Sequence, residues 1–140
     1  MSSILHADVF EKHDYELLSE FRYQLRVFLR FSEEVCRAHG LTPLQYQLLL
    51  HVQGYPGRDW ATVGELAERL QSQHHGVVAL VSRCEELGLV ERRTGQRDRR
   101  QVEIHLTGLG RQHVAELAAL HRDEIRLLRG KLMPPDVDDA

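Results

Sequence analysis

Cysteine, proline and long apolar runs are all scarce in this sequence. Of its 140 residues four are prolines and only two are cysteines, too few for the disulfide framework of a small secreted protein. No apolar run approaches the roughly 20 residues that a membrane-spanning helix needs, and the N-terminal residues lack the basic start of a signal peptide. The 42% of hydrophobic residues is enough for a core. We therefore expect one domain over residues 1–140, cytoplasmic and without a membrane partner.

Groupings of residues that carry catalysis or bind metals are also missing. Nine histidines are present, but none has the spacing of a metal-binding pair, and the adjacent His74 and His75 point in different directions on a helix. No nucleophile–base pair or phosphate-binding loop is present. Cys36 and Cys84 fall on apolar helix faces, where a thiol usually acts as a small hydrophobic side chain, although redox sensing stays an alternative. We expect no enzymatic activity, no metal and no cofactor.

Positive charge is concentrated in one segment of the sequence. The formal net charge is −3, yet five arginines and a single acid lie between Arg92 and Arg100. Apolar residues that alternate with polar ones flank this segment, at 89–93 and 101–107, and the polar tip contains Gly95, a pattern typical of a β-hairpin with a long loop. Guanidinium groups match phosphate oxygens and fit a narrow minor groove. The hairpin predicts contact with nucleic acid, or else a strand edge that is charged for solubility.

Long helical stripes of apolar residues lie near both ends of the chain. One stripe predicts a helix over residues 14–39, and another predicts a helix over 108–132 that Thr107 caps. The first helix carries apolar groups over too much of its circumference to be covered by its own domain alone. We therefore expect this helix to be covered on two sides, by its own domain and by something else.

The middle of the chain contains strong signals for short helices. Capping boxes beginning at Thr42 and Thr62 open two helices, with a very short strand predicted at 59–61 between them. Ser72 is predicted to cap a further helix that ends at Gly88. Two short helices joined by a tight turn and followed by a basic hairpin predict a winged helix-turn-helix over residues 42–107. The expected fold is mainly α with a small β-wing, with the winged helix-turn-helix between long N- and C-terminal helices.

Three stretches of the sequence carry a family resemblance. They are Leu66-Ala67-Glu68-Arg69-Leu70, the run from Val81 to Val90, and Asp98-Arg99-Arg100 followed by Ile104-His105-Leu106-Thr107 and Gly110. This pattern resembles the MarR (multiple antibiotic resistance regulator) family of bacterial transcription factors over about residues 14–130. Its most specific part is the Asp-x-Arg of the wing that leads into Leu-Thr-x-x-Gly.

The resemblance implies a double-stranded DNA partner and a homodimer joined by its first and last helices. A helix over residues 73–87 would enter the major groove and the wing would reach the minor groove. Asp98 resembles the acid that orients a neighbouring arginine, and Arg100 resembles the arginine that contacts DNA. The sequence departs from the family in having Cys84 where leucine is usual, and in ending before the further helix that members usually add.

Candidate DNA contacts lie at the start of the recognition helix, along it and on the wing. His74 and His75 could bind base edges or phosphates, or simply be solvated at a helix start. Ser82 is expected at the phosphate backbone, and Arg83 either clamps a phosphate or pairs with Glu86. The full set of candidates is Ser72, Gln73, His74, His75, Ser82, Arg83, Arg93, Arg97, Asp98, Arg99 and Arg100.

Aromatic and histidine side chains are the candidates for binding a small aromatic effector, which the resemblance places in a crevice between the long helices and the DNA-binding lobe. The candidates are Tyr23, Tyr46, Trp60 and His121. The alternative is that the aromatic residues belong to the core and that His121 is a buried neutral histidine with one hydrogen bond.

The predicted function is a homodimeric repressor that binds a pseudo-palindromic operator and is released by an effector. One alternative is a winged helix that uses its arginines to bind an acidic protein partner. Another is a redox- or metal-responsive variant of the same regulator. The polar start of the recognition helix and the Asp-x-Arg wing favour DNA.

Overall fold

The computed structural model describes residues 9–127 and 135–136 and confirms the predicted fold class, mainly α with a small wing. Within these residues the chain forms a long first helix, a compact lobe and a long last helix. The part of the last predicted helix beyond residue 127 lies outside the described residues. In chain order the elements are α1 (Lys12–Ala38), α2 (Pro43–Gln53), β1 (Trp60–Ala61), α3 (Val63–Leu70), α4 (His74–Glu86), β2 (Val90–Thr94), β3 (Val102–Leu106) and α5 (Gly108–Leu127).

Both predicted capping boxes are present and fix where α2 and α3 begin. The hydroxyl oxygen of Thr42 accepts a hydrogen bond from the backbone N–H of Gln45 at 3.1 Å, and the Gln45 side chain accepts one from the Thr42 N–H at 3.0 Å. Thr62 and Glu65 repeat the arrangement, at 3.3 and 2.9 Å. Each box satisfies backbone donors that a helix start would otherwise leave unpaired. Local sequence therefore determines both helix starts.

The predicted cap of α4 is wrong by one residue. Gln73, with extended backbone angles, is the N-cap, and its side chain makes no capping hydrogen bond. Ser72 instead belongs to the end of α3, because its backbone N–H binds the Ala67 carbonyl at 3.0 Å and its hydroxyl donates to the Leu70 carbonyl at 3.2 Å. Gln71 adopts a left-handed conformation, with φ of 51°, and so turns the chain at this point. Because the Ser72 hydroxyl is bound to the end of α3, it does not cap α4.

The three strands form one antiparallel sheet in the order β1-β3-β2. Val90 lies opposite Leu106, and Trp60 lies opposite His105. At the wing tip the Gly95 N–H donates to the Gln101 carbonyl at 2.8 Å and closes the loop. A Cβ at Gly95 would lie 2.5 Å from the Asp98 carbonyl oxygen, so only glycine fits.

The base of the wing is tied to the start of α5. Thr107 caps α5 as predicted: its hydroxyl oxygen accepts a hydrogen bond from the Gly110 N–H at 3.0 Å, and its O–H donates to the Gly88 carbonyl at 2.6 Å. The Thr107 N–H also binds the Leu89 carbonyl at 3.0 Å. Gly88, with φ of 77°, ends α4 as predicted. These bonds orient α5 relative to the wing.

The core joins all of these elements. Buried apolar side chains come from α1 to α5 and from each strand, including Cys36, Leu48, Leu49, Val52, Ala61, Leu66, Val77, Val81, Cys84, Val90, Ile104 and Leu117. Burial raises the pKa of the Cys84 thiol to about 11 and also raises that of Cys36. Because the thiolate is the reactive form of cysteine, a raised pKa makes a thiol less reactive. Both cysteines are therefore best described as buried core side chains. No helix in the described residues is long and apolar enough to cross a membrane.

Candidate nucleic-acid interface

Helix α4 has one buried face and one open face. Val77, Val81 and Cys84 are buried against the lobe. Candidate residues Gln73, His74 and His75 are exposed at the start of the helix, as is Ser72 just before it. The N-terminal turn of α4 therefore presents polar side chains and unpaired backbone N–H groups outward, as the N-terminus of a helix that binds an anion or a base edge does.

Arg92 connects the wing to α4. Side chains alternate between the two faces of a strand, so Arg92 shares its face with Val90 and points towards the helix. Its guanidinium donates to the Glu85 carboxylate at 2.5 Å and to the Ser82 hydroxyl at 3.0 Å. Ser82, a predicted phosphate contact, thus accepts a hydrogen bond from the wing residue Arg92 within this chain. From the sequence, Arg92 is predicted only as one member of the basic segment, because no sequence signal indicates that this strand and helix meet.

Arg93 lies on the opposite face of the sheet from Arg92. Its Nε donates to the Glu91 carboxylate at 2.7 Å, and one of its Nη atoms lies 3.4 Å from Nδ1 of His105. His105 Nε2 in turn lies 2.8 Å from the Glu103 carboxylate. Arg93 is therefore part of a network of alternating charges on the sheet.

The tip holds three arginines and Asp98. The Asp98 carboxylate accepts hydrogen bonds from the Arg100 backbone N–H at 3.0 Å and from its Nε at 3.3 Å. The Arg100 side chain is 92% exposed, so this contact fixes the start of the guanidinium while both Nη groups face solvent. Arg97 and Arg99 take no part in the hydrogen bonds and salt bridges found within residues 9–127. Asp98 is therefore in contact with Arg100, and the orienting role that the resemblance implies for Asp98 stays a prediction.

Internal pairing also reduces the negative charge of α4. Glu85 is paired with Arg92, and Glu86 lies 3.3 Å from an Nη atom of Arg83, so the intrahelical pairing is present in the single chain while a phosphate contact of Arg83 stays a prediction. Exposed pairs of this kind contribute little stability, but they bring the net charge of the C-terminal part of the helix close to zero. The wing tip, with three arginines against Asp98, is locally positive in a chain whose net charge is −3, and the first turn of α4 contains no acidic residue.

The effector candidates separate into different places. His121 is buried where α1, α2 and α5 meet, stacked on Tyr46 with ring centroids 4.6 Å apart. Its Nδ1 donates to the Leu117 carbonyl at 2.7 Å, and its Nε2 lies 2.8 Å from the Ser32 hydroxyl. The histidine is buried as expected, but with two hydrogen-bond partners.

The other two effector candidates lie elsewhere. Tyr23 is exposed on α1. Trp60 lies on the sheet, where the Arg58 guanidinium covers its ring at 3.9 Å. The structure thus brings together only two of the four aromatic and histidine candidates.

Two short helices joined by a tight turn, with a three-stranded wing behind the second helix, define a winged helix-turn-helix protein. A family model described as the MarR family matches residues 39–101. A transcriptional regulatory protein for the hcr operon of Thauera aromatica is 30% identical over 105 residues, which is 74% of this chain. The chain spans 61% of the length of that relative.

Solved structures share the fold. A MarR family protein from Bacillus stearothermophilus matches with a TM-score of 0.74 and 25% identity, over 87% of this chain and 84% of the other. A mutant of the S. aureus protein MepR bound to an oligodeoxyribonucleotide matches with a TM-score of 0.65 and 22% identity, over 85% and 84%. The chain belongs to the MarR family.

Proposed function

We propose that this chain is a homodimeric transcriptional repressor that binds a pseudo-palindromic operator in double-stranded DNA. The observation that carries the proposal is the contact of Arg92 with Ser82 and Glu85. Because this contact ties the wing to α4, the exposed start of the helix and the exposed Arg100 form one surface. A helix and an arginine-bearing hairpin held in this way match an adjacent major and minor groove.

Exposed apolar side chains on the two long helices support dimerisation. Tyr15, Leu18 and Leu29 on α1, and Ile125 and Leu127 on α5, are all more than a third exposed. Large apolar surface of this kind is typical of an interface. To bind two half-sites on one face of B-DNA, a twofold dimer must place its two recognition helices about 34–36 Å apart.

Release by a small aromatic effector is part of the proposal. Tyr46 and His121 support it, because their stacked rings join α2 of the lobe to α5 of the proposed dimer interface. A ligand that displaced one ring would change how the lobe sits on the long helices. Such a change alters the distance between two recognition helices, and a shift of a few ångströms misaligns one half-site.

DNA binding is tested by selecting duplexes from a random-sequence library with the full-length protein and measuring affinity against salt. We expect one preferred sequence with twofold symmetry, and an affinity that falls steeply as salt rises because bound arginines release counterions. A polyglutamate competitor tests the alternative of an acidic protein partner. Binding to polyglutamate without preference among duplexes would overturn the proposal.

Arg100→Ala is expected to weaken binding to operator and unrelated duplex by similar factors. A guanidinium that is already oriented loses less entropy on entering a groove. Removing it should therefore reduce the DNA-binding affinity more than removing a nearby arginine of equal charge. The salt dependence of log affinity should flatten by about one unit if one phosphate contact is lost. Arg99→Ala is the matched control, since the charge change is identical and Arg99 has no contact with Asp98.

Asp98→Ala separates orientation from charge in the same assay. Simple electrostatics predicts tighter DNA binding when a negative charge is removed. Because Asp98 holds Arg100, we expect weaker binding instead. Asp98→Asn keeps an acceptor for the Arg100 N–H and controls for the shape of the turn. Tighter binding by both variants, or equal losses for Arg99→Ala and Arg100→Ala, would show that the tip acts only through its net charge.

Arg92→Ala is expected to lower operator affinity about tenfold, although Arg92 needs no DNA contact in this proposal. The change removes two hydrogen bonds between wing and α4 and leaves the Glu85 carboxylate unpaired near the phosphates. Arg92→Lys keeps the charge but not the two-point contact, so it should recover only part of the loss. Wild-type affinity in Arg92→Ala would contradict the positioning role.

A further inference from the structure

The open face of α4 carries an apolar patch that the fold of this chain does not explain. Val78 is 37% exposed, and the neighbouring Ala79 is exposed as well. Val78 follows His74 by four residues and precedes Ser82 by four, so the three side chains form one row along the helix. The patch therefore lies directly between two predicted DNA contacts.

Valine at this position has no local advantage. It is a weak helix former, because its branched side chain loses χ1 freedom against the preceding turn. The adjacent Val77 is buried and is accounted for by the core, whereas Val78 is not part of the core. Because valine in a helix has one strongly favoured rotamer, Val78 presents its two methyl groups rigidly. It therefore loses little side-chain entropy when a binding partner contacts it.

The row that contains Val78 runs to the wing. Its C-terminal end is formed by Ser82 and Glu85, the two side chains that bind Arg92. Val78 consequently lies between the start of the helix and the wing, on the flank of α4 that both DNA-binding elements share. Another copy of this chain or the protein core could not cover it while DNA occupied that surface.

Small residues beside the patch leave room for a close approach. Gly76 has no positive φ, and a Cβ built there meets nothing within 4 Å, so neither its backbone conformation nor packing within the chain requires glycine. Glycine inside a helix costs about 1 kcal/mol relative to alanine. A surface that must be approached closely from outside explains this choice, since Gly76 and Ala79, three residues apart, form a row of minimal bulk on the open face of the helix.

We propose that Val78, with Ala79 beside it, contacts the C5-methyl group of a thymine in the major groove and so helps to determine the operator sequence. Thymine is the only one of the four bases that presents a methyl group there. A rigid apolar side chain opposite the amino group of cytosine or adenine would leave that donor without a partner, which disfavours those bases. This inference rests on the proposed function.

The test removes the methyl group and nothing else. The probe is the duplex recovered by selection with the wild-type protein, in which each thymidine is replaced in turn by deoxyuridine. Base pairing and all groove hydrogen-bonding groups stay the same. We expect one position in each half-site at which the loss of the methyl group weakens binding roughly fourfold, the effect of burying one methyl group.

Val78→Ala should remove the sensitivity to the methyl group. We expect this variant to bind the thymine duplex more weakly than wild type, while its own ratio of thymine to uracil affinity falls from about four towards one. Leu87→Ala is the matched control, because Leu87 is also 37% exposed on this helical segment but lies off the row. The Leu87 variant should keep the fourfold ratio. Since both positions are exposed, melting temperatures close to wild type will show that the fold is intact.

The possible failures are distinguishable. A selection that returns no preferred sequence would overturn the proposed function and this inference with it. A preferred sequence that contains no thymine in its half-sites, or whose thymines all tolerate uracil, would overturn the inference alone. The same conclusion follows if Val78→Ala retains the wild-type ratio, because the methyl group is then read by another residue.

Discussion

Ile125→Asp is expected to convert the proposed dimer to monomers and to abolish operator binding at micromolar protein. Ile125 lies on α5 and is 54% exposed in the single chain, so an aspartate there stays hydrated in the monomer and should leave its fold intact. In a twofold interface the substitution occurs twice and buries two unpaired carboxylates. Each costs several kcal/mol, which raises the dissociation constant by a thousandfold or more. Light scattering and sedimentation will measure the mass.

Leu109→Asp is the control for the dimer experiment. Leu109 is 46% exposed on the same helix, but it is 16 residues, or about 24 Å, away from Ile125. An acid in the first turn of a helix is also favourable, so the fold should tolerate it. We expect this variant to remain dimeric. A stable wild-type monomer, or an Ile125→Asp variant with the mass of a dimer, would rule out α5 as the interface.

Gly110→Ala is expected to destabilise the fold by about 3 kcal/mol, the second large effect. A Cβ at this position would lie 2.1 Å from the carbonyl oxygen of Leu89, which belongs to the backbone and is itself bound by the Thr107 N–H. Neither side can move without breaking the junction between the wing and α5. The loss exceeds what alanine gains as a better helix former, about 1 kcal/mol. Thermal and denaturant unfolding will measure it.

Gly108→Ala is the matched control two residues earlier. A Cβ there meets only the far end of the Arg111 side chain, at 3.9 Å. We expect its stability to stay within about 0.5 kcal/mol of wild type. If Gly110→Ala unfolded at the same denaturant concentration as Gly108→Ala, the close approach of α5 to Leu89 would not constrain the fold.

The sequence alone predicted the features that depend on near neighbours. The capping boxes at Thr42 and Thr62, the stop at Gly88 and the cap at Thr107 each involve groups within a few residues or a backbone preference of one residue. Such interactions are present in almost any context, so the pattern was sufficient. The contact of Asp98 with Arg100 belongs to the same class, since the two residues are two positions apart.

Tertiary structure decided what the sequence left open or predicted wrongly. Ser72 fails as a cap because the end of α3 uses its hydroxyl and its N–H. Arg92 joins the wing to α4 only because the strand alternation and the packing of the core bring it beside Glu85. His121 and Ser32 are 89 residues apart and yet hydrogen-bonded. Periodicity assigns a side chain to a face of its own element, whereas which element that face meets depends on how the whole chain excludes water from its core.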